Sequence, residues 1–477
     1  LWPWHWINKS YSICYNIYLY LSKVKRTFAA KEQHVNTSNN ISRKNFIKNS
    51  ALAMAGLTIT PGMPGLKAAT GNTSAAGKNK LSLKNVRLET GFVYEDGEVT
   101  ATTTGLFYIE IENGKIAAIS PNQPNADAID AKGYLMLPSF KDMHIHMDKT
   151  FYGDGWRAVR KRTGGVKGII ALEQKILPEM LKNSTYKAEK MIALLQSKGT
   201  GFARSHVNIE PTSKLESLAH LQQALENRKD SFGAELVAFP QHGVFYTNSV
   251  PYMKEAAKMN IDFIGGLDPY TIDGAIEKTV DFTVQLALDH NKGIDIHLHE
   301  TGESGLKTVE YIIDKVNENP VLKGKTYISH CFVLGKIDNI KQEAIAEKLG
   351  AAQIGINSTI PFGGLIMPIP TLYKHNVKVM TGNDSIVDHW NTFGTGSVLH
   401  KANLMAQLYG YSTEFGLSRS LRLATAGVLP LDDKGNRQWP KAGDKANMAF
   451  LNASCSAEAV SRVSQVESLI YEGKLVF

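Results

Sequence analysis

Asp142-Met143-His144-Ile145-His146-Met147-Asp148 follows the apolar run 133–137, and its reading decides the fold. Histidines two residues apart on a strand point to one face, so both imidazoles can reach a single cation. Outward from this stretch, apolar β-type runs stand at 133–137, 202–207, 236–240, 263–266, 294–299, 326–330, 352–356 and 377–381. Helical stretches at 184–198, 215–227, 252–258, 274–291, 308–317 and 336–349 separate them. Strands apolar throughout, rather than alternating, are buried on both faces and pair in parallel through helical crossovers. Eight such runs predict an α/β fold, a (β/α)8 TIM-like barrel. A doubly wound open sheet is the alternative, but no GxGxxG follows a first strand.

The flanks read differently. Short alternating segments at 81–88, 92–95, 106–112 and 115–120 are broken by Gly, Asn and Asp, and 446–451, 463–471 and 475–477 return to that style. Alternation punctuated by turn residues predicts antiparallel strands. The two ends are expected to make one small β-sandwich domain built from both flanking segments. The division is then a leader at 1–80, sandwich parts at 81–140 and 441–477, and the barrel at 141–440.

Composition is ordinary for a globular chain: 43% of the 477 residues are hydrophobic and 21% charged. Three cysteines, Cys14, Cys331 and Cys455, form no CxxC pair and no disulfide framework. The net charge of +8 is local: residues 1–80 hold 11 Lys/Arg and one acid, whereas the remaining 397 hold 42 basic and 44 acidic side chains. A phosphate-tracking groove needs basic residues on the folded body, so nucleic acid is not an expected partner. Within the leader, Ser-Arg-Lys-Asn-Phe-Ile-Lys at 42–48 precedes an apolar run at 51–59 and the small residues Gly62, Gly65, Ala68 and Ala69. That shape predicts export to the periplasm through a twin-arginine-like signal in which Lys44 replaces the second arginine. A disordered basic arm on a cytoplasmic protein is the alternative. Residues 1–40 read either as an extension of the gene model that the protein itself lacks or as an amphipathic anchor. The apolar run is too short for a stable membrane span.

Strand ends of a parallel barrel carry its chemistry. His144 and His146 lie at the first, and Asp295-Ile296-His297-Leu298-His299-Glu300 ends a later one. Ser329-His330 follows, and the last strand runs into Gly382-Asn383-Asp384-Ser385. His144, His146, His297 and Asp384 make a ligand set for one divalent ion, zinc or iron, with a position open to water; His299 shares parity with His297 and is a further choice. Such an ion lowers the pKa of bound water toward about 7. Glu300 is expected to take the water proton and return it to a ring nitrogen or leaving amine. His330 is expected to orient the hydroxide or stabilise charge at the attacked carbon. No Lys lies in 236–241 or 263–266 to form a carboxylated bridge between two ions.

The order HxH, HxxE, His and Asp resembles the amidohydrolase superfamily, most of all the cytosine deaminases and their relatives. The likeness rests on HIHMDKT at 144–150, VAFPQHG at 237–243, IHLHE at 296–300 and GNDSIVDHW at 382–390, and extends over about residues 82–477. It implies metal-dependent hydrolysis of a non-peptide C–N bond: deamination of a cytosine-like cyclic amidine. It also implies that His144, His146, His297 and Asp384 hold the ion, Glu300 moves the proton and His330 meets hydroxide and substrate. Gln241 matches a residue that reads the edge of the ring, and Trp390 an aromatic lining the pocket. His206, His242 and His389 are read as supporting residues. One departure stands out: the cytosine branch carries a second Asp after the metal-binding one, where this chain has Ser385. A hydroxyl accepts a ring N–H hydrogen bond more weakly than a carboxylate. Hydrolysis of a cyclic amide or an N-alkylamino-triazine is therefore the alternative. A binding protein without turnover would lack a ligand or Glu300, and neither is missing. The expected partners are a small nitrogen heterocycle and water, with oligomerisation left open.

Overall fold

The computed structural model describes residues 80–160 and 163–477. The export signal and the readings of residues 1–40 lie outside them. Among the described residues no helix is long and apolar enough to cross a membrane.

Eight parallel strands form the barrel: Phe140–Ile145 (β1), Thr200–Asn208 (β2), Gly233–Phe239 (β3), Phe263–Leu267 (β4), Gly293–His297 (β5), Thr326–Ser329 (β6), Ile354–Ser358 (β7) and Val379–Thr381 (β8). They are hydrogen-bonded in sequence order. The ring is joined between its first and last strands by a bridge of Ile145 with Asp384. Nearly every strand residue is buried, as the non-alternating apolar runs require.

The expected first strand needs correction. Leu135–Pro138 belongs to the other sheet, antiparallel to Met448–Leu451, and the barrel starts at Phe140. Both runs are apolar, so periodicity cannot separate them. Pro138 lacks an N–H, and the chain crosses from one sheet to the other immediately after it. The shift places His144 inside β1 and His146 just beyond its end. Five α-helices among the described residues were not assigned from the sequence: Gly165–Leu181, Ile369–Lys374, Val398–Tyr409, Glu414–Ala424 and Ser456–Arg462.

The outer helices pack through apolar stripes. In Glu303–Glu318 the residues Val309, Ile312, Ile313 and Val316 recur at spacings of three and four and are buried. Each such side chain contributes about 1.5–3 kcal/mol on burial. Inside the barrel, toward the N-terminal ends of its strands, Met143, Val237, Phe263, Tyr327 and Met380 form an apolar plug. Arg204 stacks on Phe263 and Tyr327 at 4.0 and 4.1 Å. Its charge is balanced by Glu235 at 2.8 Å and Asp295 at 3.1 Å.

The second sheet joins both flanks of the chain. The N-terminal strands Lys80–Glu95 and Glu98–Glu112 pair antiparallel with bulges, and Leu135–Pro138 links them to Met448–Leu451 and Val466–Tyr471. Leu83, Ile109, Met136, Met448 and Phe450 fill a separate core for this sheet.

Candidate metal centre and active site

Backbone geometry brings the site together. Asp142 accepts hydrogen bonds from the Asn383 backbone N–H at 3.1 Å and the Asn383 side-chain amide at 2.6 Å, tying β1 to the segment after β8. Gly382 lets the two approach: a Cβ there would lie 2.1 Å from the His144 carbonyl oxygen. Asp384 then donates its N–H to the His144 carbonyl at 2.7 Å and accepts from the His146 N–H at 3.0 Å. Asp384 has φ 64° and His330 φ 66°, left-handed conformations that non-glycine residues keep where the surroundings enforce them.

The expected ligands fall into two overlapping sets whose candidate ligand atoms lie within 4.8 Å of one another: His144, His146 and His297, and His144, Asp384 and His330. Asp384 Oδ1 lies 3.4 Å from His144 Nε2 and 3.4 Å from His146 Nε2. His297 Nε2 lies 3.4 Å from His146 Nε2. Ligand atoms held at 2.0–2.1 Å from a tetrahedral ion lie about 3.3–3.4 Å apart. The same spacing is long for a hydrogen bond. Donor chemistry agrees with the spacing. Ser329 gives its one hydroxyl proton to Asp295 Oδ1 at 2.6 Å, so it accepts from His144 Nδ1–H at 2.8 Å. His144 Nε2 is thereby left as an acceptor, buried and without a protein hydrogen bond. His146 donates Nδ1–H to the His206 carbonyl at 3.1 Å, which frees its Nε2 in the same way. These residues fit a divalent cation.

Electrostatics favour a cation too. Burial, with Lys149 nearby, pushes the His146 imidazole down to about 4. Burial and neighbouring imidazoles hold His297, His206 and His330 well below the usual histidine range. These rings are neutral at pH 7 and present lone pairs. Burial opposes ionisation of Asp384, but His144 and His146 hold its carboxyl well below the usual range.

Glu300 sits three residues past His297. Its Oε1 accepts from the backbone N–H groups of Tyr270 and Thr271, each at 3.0 Å, while its buried Oε2 has no partner. His330 lies 4.8 Å from His144 between ring centroids, with both nitrogens buried and unpartnered. His299 is turned elsewhere: its Nδ1 bonds Asp268 Oδ2 at 2.9 Å, and it stands outside the converging ligand sets. Burial opposes its protonation, but Asp268 raises the imidazole above its ordinary value. Two cavities flank the centre. One of about 520 Å³ is lined by Asp268, Thr271, His299 and Glu300. The other, about 430 Å³, is lined by Asn383, Asp384, Phe393 and Lys401. A larger cavity of about 1070 Å³ lies at the N-terminal edge of the barrel beside Lys141 and Phe202 and contains none of these residues.

The expected substrate contacts fall into a neighbouring polar cluster. Gln241 is buried after β3 and accepts from the Lys149 ammonium. Trp390 donates Nε1–H to Glu173 at 3.0 Å. Ser385 is buried close behind Asp384. His389 also bonds Glu173, at 2.8 Å. Sequence reasoning missed Lys149, Glu173, Asp268 and the Ser329–Asp295 pair. A signal for Glu173 existed: it shares the buried stripe of Ile169, Ile170, Leu177 and Met180, where a charge is out of place.

Comparisons with known proteins identify the family. The sequence profile of the Amidohydrolase family matches residues 154–477. An uncharacterized protein of Escherichia coli strain K12, YahJ, is 47% identical over 451 residues, covering 91% of this chain and 98% of that protein. The crystal structure of N-isopropylammelide isopropylaminohydrolase from Burkholderia multivorans superposes with a TM-score of 0.72 at 25% identity, covering 83% of this chain and 98% of its own. 5-Methylcytosine deaminase from Klebsiella pneumoniae, liganded with 5-fluorocytosine, superposes with a TM-score of 0.68 at 24% identity over 83% and 97%, a likeness of fold.

Proposed function

The chain belongs to the amidohydrolase family, and from that premise we propose that it hydrolyses a non-peptide C–N bond of a small nitrogen heterocycle, deaminating a cyclic amidine. The observation that carries this reading is Asp384 Oδ1 at 3.4 Å from the acceptor nitrogens of both His144 and His146; the buried Glu300 Oε2 without a hydrogen-bond partner adds to it. His144, His146, His297 and Asp384 would hold a divalent ion, zinc or iron, which would supply a water of lowered pKa.

Glu300 takes the water proton at Oε2, since two backbone amides already occupy Oε1. It then delivers that proton to the departing nitrogen. His330, a neutral ring with one N–H and one lone pair, steadies charge at the attacked carbon. Gln241 meets the ring edge and Trp390 the ring face. A second reading, removal of a substituted amine from an N-alkylamino-triazine, is favoured by the Ser385 hydroxyl in the carboxylate position. The structural likeness to an N-isopropylammelide isopropylaminohydrolase supports it as well.

The test is metal analysis of the purified protein combined with a screen of pyrimidines, triazines and lactams for ammonia, alkylamine or ring-opened product. Ammonia supports deamination, and alkylamine supports the second reading. A metal-loaded protein that releases nothing from any of these rings defeats both.

A further inference from the structure

One buried charge has no task in that chemistry. Glu173, on the helix Gly165–Leu181, has 0% exposure. It accepts from Lys149 Nζ at 3.4 Å, from the Asn208 side-chain amide, from His389 Nε2 at 2.8 Å and from Trp390 Nε1 at 3.0 Å. His242 Nε2 lies 3.7 Å away on another side. These partners stand at or beyond the ends of β1, β2, β3 and β8, so one carboxylate on an outer helix gathers four walls of the mouth.

Within the cluster the carboxylates of Glu173 and Glu210 face the Lys149 ammonium and the His242 imidazole. Glu210 pairs with His242 Nδ1 at 3.1 Å. Burial alone would lower the His242 imidazole, but Glu173 and Glu210 push it up to about 9. Burial likewise opposes ionisation of Glu173, yet Lys149, His389 and His242 hold it well below the carboxylate range. Two anions face two cations, the condition under which buried charges are tolerated.

Lys149 is 1% exposed and therefore acts through its neighbours rather than on a ligand. Its ammonium touches Gln241 and lies 5.6 Å over the Trp390 ring. An ammonium has three donors and no acceptor, so the Gln241 atom facing it is the carbonyl oxygen. What remains of that amide is N–H.

We propose that Glu173 is a positioning residue that sets the polarity of the substrate-reading edge: it anchors Lys149, Lys149 draws the Gln241 carbonyl to itself, and the Gln241 amide N–H groups are left to donate to the ring. This deepens the functional reading and rests on its placement of Gln241 at the ring. The ligand class that follows is a heterocycle whose edge carries acceptors, an oxo-substituted pyrimidine or triazine that readily becomes an anion. A ring presenting amino groups there sets N–H against N–H, which a buried site rejects.

The experiment compares barbiturate, an anionic ring with oxo acceptors, against 2,4,6-triaminopyrimidine by titration calorimetry on the metal-loaded full chain. The wild type is expected to favour barbiturate by about tenfold or more. Glu173→Gln, with metal content and melting temperature unchanged, is expected to narrow the ratio below about threefold. The double variant Glu173→Gln/Lys149→Met removes one charge of each sign, leaves the net charge of the cluster unchanged and is expected to narrow it likewise. A wild type that binds the two rings equally overturns the proposal. A full preference in either variant does so too, as does a preference lost only together with the metal. A wild type that prefers barbiturate yet hydrolyses no ring leaves the Glu173 role standing and defeats the hydrolase reading alone.

Discussion

Asp384 and His144 are joined twice: the carboxylate Oδ1 lies 3.4 Å from the imidazole Nε2, and the Asp384 N–H donates to the His144 carbonyl at 2.7 Å. The backbone contact closes the barrel and the side-chain contact builds the centre. Closure and ligand convergence are therefore one structural event.

Gly382 is the first place to test that coupling. Its substitution by Ala puts a Cβ 2.1 Å from the His144 carbonyl oxygen and 2.4 Å from Asp142 Oδ1. Both are atoms of the closure. Gly382→Ala is expected to cost about 2–4 kcal/mol and to lower metal occupancy at the same time. Chemical denaturation and metal analysis on the same preparation check this. Lost stability with full metal content would separate closure from the centre.

Glu300→Gln keeps the hydrogen bonds to Tyr270 and Thr271 but removes the proton acceptor at Oε2. Metal content is expected to stay at the wild-type level while kcat falls by about 10²–10⁴. Steady-state kinetics on a ring identified by the amine-release screen measures this, and near-normal kcat rejects the role given to Glu300.

The chain Asp295–Ser329–His144 fixes which imidazole nitrogen faces the centre. Ser329→Ala removes that control without touching a ligand. It is expected to weaken metal affinity by about 10–100-fold. Competition with a chelator of known affinity reads the change, and an unaltered metal Kd would show that the tautomer needs no such support.

Acid sensitivity of the metal-free protein follows from the buried imidazoles. His146 is held at about 4 when folded, against about 6.5 in an unfolded chain. A depressed histidine stabilises the fold above its unfolded pKa, and the contribution disappears as pH falls toward the folded value. His146 is expected to withdraw about 3 kcal/mol between pH 6.5 and 4. Asp142 and Asp148, which burial raises to about 6, act in the opposite sense over that range. The clean readout is therefore a difference: in chelator, His146→Asn should lose less stability than wild type as pH falls. Parallel melting-temperature curves would mean that His146 does not titrate as a buried neutral ring.

Much of the architecture was legible because buried parallel strands cannot alternate. Seven of the eight expected barrel runs correspond to β2–β8, with ends shifted by a few residues. The first, 133–137, misled because an apolar strand of the neighbouring sheet has the same pattern as a barrel strand. The candidate ligands were legible for a related reason. A strand-end position is visible from a run's last apolar residue, and the four candidate ligands fell at or near such positions. His299 shows the limit: it shares parity with His297, but β5 ends at His297, and beyond the strand parity no longer governs direction.

The sequence by itself determined the strand–helix alternation, the HxH and HxxE spacings and the confinement of the net positive charge to residues 1–80, because each is a local pattern. Only the tertiary structure decided that Asp384 faces His144 and His146, that Ser329 sets an imidazole tautomer, and that Glu173 lies inside the mouth. Those are distances between segments remote in the chain. They are fixed by ring closure and by the requirement that buried charges find partners, and no spacing along the chain encodes them.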